Sequence, residues 1–191
     1  MTQNRPADSI LCEEGVSPPV AVVGAGNWLI SSDNIGPRVL EMVRDRYGPE
    51  VELCDVGSGG LALLDHLHGQ ELMLVVDACV GYGEPGEVML VEPDLDQPPA
   101  RECSVHQIGP IEALVVARHL APATLPRCTR LVLVETAGID EQAEDSACER
   151  VVAVLDREIE RWRGSHSSSS ESSSTDKPAG LPANGGMNGS T

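Results

Sequence analysis

Residues 20–38, VAVVGAGNWLISSDNIGPR, decide the fold. Four apolar residues, Val20 to Val23, run straight into Gly24, Gly26 and Asn27, and a loop then carries Asp33 to the start of an amphipathic helix. A short, continuously apolar run closed by glycine reads as a strand buried on both faces. Its loop opens at the strand's carboxyl end, which in an open α/β sheet is the edge where ligands gather. Function is therefore expected at that edge.

Downstream, Ile35, Val39, Leu40, Met42 and Val43 recur at helical spacing up to Arg46, and Gly48-Pro49 stops that helix. Val51 to Cys54 is a second short strand, followed by Asp55-Val56-Gly57-Ser58-Gly59-Gly60 and a brief helix from Leu61 to Leu67. A third strand, Leu72 to Val76, ends in Asp77. Beyond Gly81, Gly83, Pro85 and Gly86 lies a fourth, Glu87 to Val91. The connection between strands three and four is too short for a crossover helix, which predicts antiparallel neighbours.

A proline-rich linker, Glu92 to Ser104, returns the chain to a helix over Ile108–Leu120, a fifth strand over Leu131–Val134 and a closing helix over Glu141–Arg163. The expected fold is α/β in three layers. It has a five-stranded, mostly parallel twisted sheet with one antiparallel strand and helices on both faces. A helix that feeds a parallel strand starts at the carboxyl edge of the sheet. Asp33, Asp77 and His106, distant in sequence, are thereby expected on one rim.

Composition bounds the rest. The net charge is -17, from 13 basic and 30 acidic residues, which argues against a nucleic-acid partner, since phosphates need a basic face. No stretch approaches the length of a membrane span, and the first residues lack a basic-then-apolar secretory pattern. Six cysteines without a CxxC pair read as reduced thiols, hence a cytoplasmic protein, expected as a monomer. Residues 1–19 show no periodicity, and the serine-rich residues 165–191 hold too few large apolar side chains to fold. One domain is expected, over 20–164.

Two carboxylates and an imidazole on one rim suit a borderline divalent metal such as nickel or zinc. Each residue also has a plainer role open to it. Asp33 could cap the following helix, Asp77 could accept loop amides, and His106 could sit at a helix start. Other readings are weaker. A dinucleotide loop would need glycine at position 29, where Leu29 stands. Cys79 or Cys103 could act as a nucleophile only beside a base. His66 and His68 suit a helix end through its dipole, and no GxSxG or HExxH signature is present.

Four segments in order carry a resemblance: Gly26-Asn27-Trp28-Leu29 with Asp33 and Gly36; Asp55-Val56-Gly57-Ser58-Gly59-Gly60-Leu61; Val75-Val76-Asp77-Ala78 with Gly83-Glu84-Pro85-Gly86; and Ser104-Val105-His106-Gln107-Ile108-Gly109. Together they resemble the hydrogenase maturation proteases, endopeptidases that trim the large subunit of nickel-iron hydrogenases. The resemblance implies a metal-dependent, aspartyl-type endopeptidase with Asp33, Asp77 and His106 as metal ligands and catalytic residues. It also implies that the protease reads nickel already carried by its partner, a precursor large subunit. Gly57, Ser58, Gly59 and Gly60 are expected to offer exposed backbone amides to the substrate or the oxyanion.

The chain departs from the family pattern in two places. Ser32 and Asn34 flank Asp33 where the family has an acidic residue and a glycine, and Asn34 is expected to take the turn because it tolerates positive φ. Glu135-Thr136-Ala137-Gly138 replaces a proline-containing segment. The alternative function is a non-catalytic, metal-binding or chaperone-like module that holds the immature subunit without cutting it.

Overall fold

A computed structural model describes residues 17–96 and 108–167. Its core is one sheet of β1 (Val20–Ala25), β2 (Val51–Gly57), β3 (Leu72–Cys79), β4 (Val88–Val91) and β5 (Cys128–Glu135), in the order β2-β1-β3-β5-β4. The first three strands and β5 run parallel, and β4 runs antiparallel to β5. Helices α1 (Ile35–Met42), α2 (Pro110–Leu120) and α3 (Glu141–Ser167) complete the layers with a 3-10 helix over Gly60–His66. This is the expected three-layer α/β architecture. Among the described residues, no helix is long and apolar enough to cross a membrane.

The period of two along β1 and β3 feeds two cores, because successive side chains point to opposite faces. Val20, Val22, Leu74 and Val76 pack on one face against Ile35 and Val39 of α1 and Val151, Leu155 and Ile159 of α3. Ala21, Val23, Met73 and Val75 pack on the other against Leu63 of the 3-10 helix and Ala113, Leu114 and Ala117 of α2. Each fully buried valine, leucine or isoleucine side chain is worth about 1.5–3 kcal/mol. Helix α1, only eight residues long, is too short to hold in water alone. Its stability comes from this packing.

One sequence expectation fails. Strands β3 and β4 are not neighbours: β5 lies between them, parallel to β3 and antiparallel to β4. The reason is burial. The first five residues of β3, Leu72 to Val76, are buried, and eight-residue β5 pairs along its whole length. The four residues of β4 are half-buried or exposed and suit an edge. The glycine-bearing segment between β3 and β4 is long enough to step across the intervening strand.

The parallel strands also run past their apolar runs. β1 continues to Ala25, β2 to Gly57 and β3 to Cys79, while β5 starts at Cys128 and ends on Glu135. Asp77 is therefore part of the ladder rather than the loop beyond it. Helix α1 stops at Met42 instead of Arg46, and Arg46 closes the following turn by pairing with Asp156 of α3. The four described cysteines, Cys54, Cys79, Cys128 and Cys148, are free thiols.

Candidate active site at the carboxyl rim

Glycine brings the first acidic residue to the rim. A Cβ on Gly36 would lie 2.2 Å from the carbonyl oxygen of Ala25, and one on Gly26 would lie 2.0 Å from that of Asp33. Only glycine lets the start of α1 press its backbone against the end of β1 this closely. Gly26 also has φ +130°, a region side chains avoid. The Asn27 N–H donates to the Asp33 carbonyl at 2.6 Å, and the Asn27 side chain accepts from the Leu29 N–H at 2.9 Å. The loop is thus a closed turn with Asp33 at its end. Asp33 does not cap α1, whose N-cap is Asn34 with no side-chain cap bond. Asn34 has φ −104°, so the expected positive-φ turn is absent and no glycine is needed there.

Asp77 arrives from the adjacent strand. Its Oδ1 accepts the Ala78 N–H at 2.8 Å. Burial pushes its carboxyl up to about 6, the Ala78 bond pulls it back, and the negative charges of Asp33 and Glu112 push it further. Burial likewise raises Asp33, against a backbone N–H from Asn27. The structure thus brings Asp33 and Asp77 within electrostatic reach of each other, as topology required. Among the described residues, the charges acting on Asp77 are all negative. A set of half-buried carboxylates of one sign favours a cation.

His106 lies outside the described residues. The chain re-enters at Ile108, whose carbonyl accepts the Gly60 N–H at 2.9 Å. Gly60 is pressed so closely on Gly109 that a Cβ would come within 2.2 Å of its carbonyl. The segment two residues beyond His106 is therefore fixed to the glycine-rich turn after β2. Two amides of that turn are engaged within the chain. The Gly60 amide is spent on Ile108, and the Gly57 amide donates to the Asp55 side chain at 2.9 Å. Ser58 and Gly59 remain the exposed peptides of that turn.

Two acidic residues were not singled out from sequence. Glu112 sits in the first turn of α2 and accepts the Gly109 N–H at 3.0 Å. Its spacing three residues after Gly109 signalled a helix start, not proximity to Asp77. Glu135 ends β5 only 1% exposed and accepts N–H bonds from Tyr82, Gly83 and Ala137 at 2.7, 3.2 and 3.0 Å. These bonds hold its carboxyl below the usual range. Glu135 thereby fixes the loop after β3. Cys79 lacks the lowered thiol that marks a nucleophile: burial, with Glu135 and Asp77 nearby, pushes it up to about 11.

Apolar side chains stand in solvent around the carboxylates. Trp28, Leu29 and Ile30 lie on the first loop, and Val80 and Tyr82 on the loop after β3, with Leu29 93% exposed. Apolar side chains grouped beside a charged site mark a surface for another protein.

Comparison with known proteins bears on the family and the fold. The family model described as hydrogenase maturation protease matches residues 37–153, which include Asp77 and Glu112 and begin just after Asp33. The chain is 33% identical over 133 residues to the hydrogenase expression/formation protein HupM of Azotobacter chroococcum mcd 1, covering 66% of this chain and 62% of that one. It is 29% identical over 103 residues to the hydrogenase 2 maturation protease of Escherichia coli, covering 52% and 63%. The chain thus spans less than two thirds of the length of these two relatives. The solved structure of the hydrogenase maturating endopeptidase HybD from E. coli superposes with a TM-score of 0.57 at 26% identity, over 73% of this chain and 93% of that one.

Proposed function

The chain belongs to the hydrogenase maturation protease family, and from that premise we propose that it is an endopeptidase removing the C-terminal extension of a nickel-iron hydrogenase large subunit. The observation that carries this reading is the meeting of Asp33 and Asp77 at the carboxyl rim, with Glu112 beside them and, among the described residues, only negative charges acting on Asp77. Nickel enters as part of the substrate, already held by the precursor. Asp33, Asp77 and His106 are the residues assigned to contact it, so that productive docking depends on metal loading.

Water is the attacking group in this mechanism. Asp77, whose carboxyl burial raises in the metal-free protein, is the carboxylate assigned to accept the proton of that water. The exposed peptides of Ser58 and Gly59 are assigned to the substrate strand and the developing oxyanion. The apolar side chains of Trp28, Leu29 and Tyr82 are assigned to the precursor's surface. The free thiols support a reducing, cytoplasmic workplace.

The test incubates the full chain with the precursor large subunit, with and without nickel, and reads the subunit's intact mass. A C-terminal loss that requires nickel and vanishes with Asp77→Asn is expected. Equal shortening by wild type and Asp77→Asn would refute the assignment. An intact subunit in a stable complex would establish the non-catalytic, chaperone-like role instead.

A further inference from the structure

A second constellation lies on the edge strand β2. Glu52 and Cys54 sit two apart on edge strand β2, so both project from the same face. The 3-10 helix that covers this face ends on His66. Glu52 Oε, Cys54 Sγ and a His66 ring nitrogen all lie within 4.8 Å of one another, and among the described residues this is the one such group. Glu52 pairs with Ala21, whereas Asp77 is level with Ala25, the residue after the Gly24↔Val76 pair. Cys54 pairs with Val23, so two to four strand positions along the sheet, about 7–13 Å, and two strand spacings across it, about 10 Å, separate the two places.

Three features distinguish the group from an ordinary surface ion pair. Cys54 is only 2% exposed, so the thiol faces the cluster from the protein side. Oxygen Oε2 of Glu52 is occluded and has no hydrogen-bond partner, a state that costs free energy unless something compensates it. Finally, His68 Nε2 stands 3.6 Å from that same oxygen, while His66 Nδ1 is 3.8 Å from Oε1. These separations are longer than hydrogen bonds. The Cys54 thiol, held protonated by burial and by Glu52, donates to the Glu52 carboxylate, and an ion would take the place of that proton.

We propose that Glu52, Cys54 and His66 form a binding site for a borderline divalent cation of the zinc type, separate from the carboxylate rim. Thiolate, imidazole and carboxylate are the ligand set such ions take in tetrahedral sites. With metal–ligand lengths of about 2.0–2.3 Å, ligand atoms stand about 3.3–3.8 Å apart. Closing to that spacing takes a movement of about 1 Å, which the half-exposed Glu52 and His66 side chains can make. The Cys54 thiol proton leaves to solvent as the sulfur takes the ion. His68 then serves as the neighbour that orients the Glu52 carboxylate. The ion ties an edge strand to a connection that is a 3-10 helix rather than a full α-helix.

The test uses the full chain carrying Asp33→Asn and Asp77→Asn, stripped of metal and titrated with Co2+ alone and then Zn2+ alone. One equivalent of Co2+ is expected to give a thiolate-to-metal charge-transfer band that Zn2+ displaces. Cys54→Ala in the same background is expected to abolish the band. His66→Ala is expected to weaken binding at least by the roughly tenfold that loss of an outer partner costs, and His68→Ala by about that tenfold. Zn2+ should raise the melting temperature of the Asp33→Asn/Asp77→Asn protein and not that of its Cys54→Ala derivative. No band, a band that survives Cys54→Ala, or equal Zn2+ stabilisation of both proteins would each overturn the proposal and leave the group an ion pair.

Discussion

Replacing Asp77 by asparagine should stabilise the protein at neutral pH while removing its activity. The carboxyl proton is held up to about 6 by burial and by Asp33 and Glu112, against 3.8 for a free aspartate. A raised carboxyl makes the native state bind a proton that the unfolded state has released. Stability therefore falls as pH rises from about 4 to about 6, and the whole penalty stands above that. At about 1.36 kcal/mol per pH unit, the interval from 3.8 to about 6 amounts to about 3 kcal/mol. Solvent at the rim screens part of it, which leaves about 1–3 kcal/mol. Asparagine keeps the oxygen that accepts the Ala78 N–H at 2.8 Å, so no bond is lost in exchange. For a domain of this size the gain corresponds to a rise of about 3–10 °C in melting temperature. The assay is thermal unfolding of both proteins without added metal at pH 7.5 and pH 4.5. The variant should melt higher at pH 7.5, and the gap should shrink at pH 4.5, where Asp77 is protonated. A variant that melts lower at pH 7.5, or a gap independent of pH, would refute the electrostatic account of the rim.

Processing of the nickel-loaded precursor should hold as pH falls through about 6, where the metal-free Asp77 carboxyl takes up its proton, because a nickel ion beside the carboxylate keeps it ionised to lower pH; initial rates between pH 5 and pH 8 test this. Gly36→Ala places a Cβ 2.2 Å from the Ala25 carbonyl oxygen and should destabilise the fold by about 1–3 kcal/mol, read from urea denaturation. Leu29→Ser alters a side chain 93% exposed, so stability should change by less than about 0.5 kcal/mol while KM for the precursor rises. Glu135→Ala removes the shared acceptor of the Tyr82, Gly83 and Ala137 amides, and faster amide exchange at those three positions is the expected readout.

What the sequence made legible, and what it hid, follows from one physical distinction. Continuous apolar runs reported where a strand is buried on both faces, so β1 and β3 were found at Val20–Val23 and Leu72–Val76. The runs stop at the rim, where the ladder goes on through Asp77 to Cys79. The polar ends of the strands are thus the part a hydrophobic pattern cannot see, and they are the part that carries the acids. Asp33 was legible because glycines at 24, 26 and 36 leave a mark in the sequence, and that mark records a backbone contact. Glu112 left no such mark: its one visible signal, the spacing after Gly109, describes a helix start, and its nearness to Asp77 exists only once α2 packs on the sheet. The misplacement of β4 has the same origin, since loop length limits how far a strand can travel but only burial decides which partner it takes. Glu52, Cys54 and His66 make the point at its limit. Eleven residues separate Cys54 from His66, and it is the path of the 3-10 helix back across β2 that turns that separation into contact.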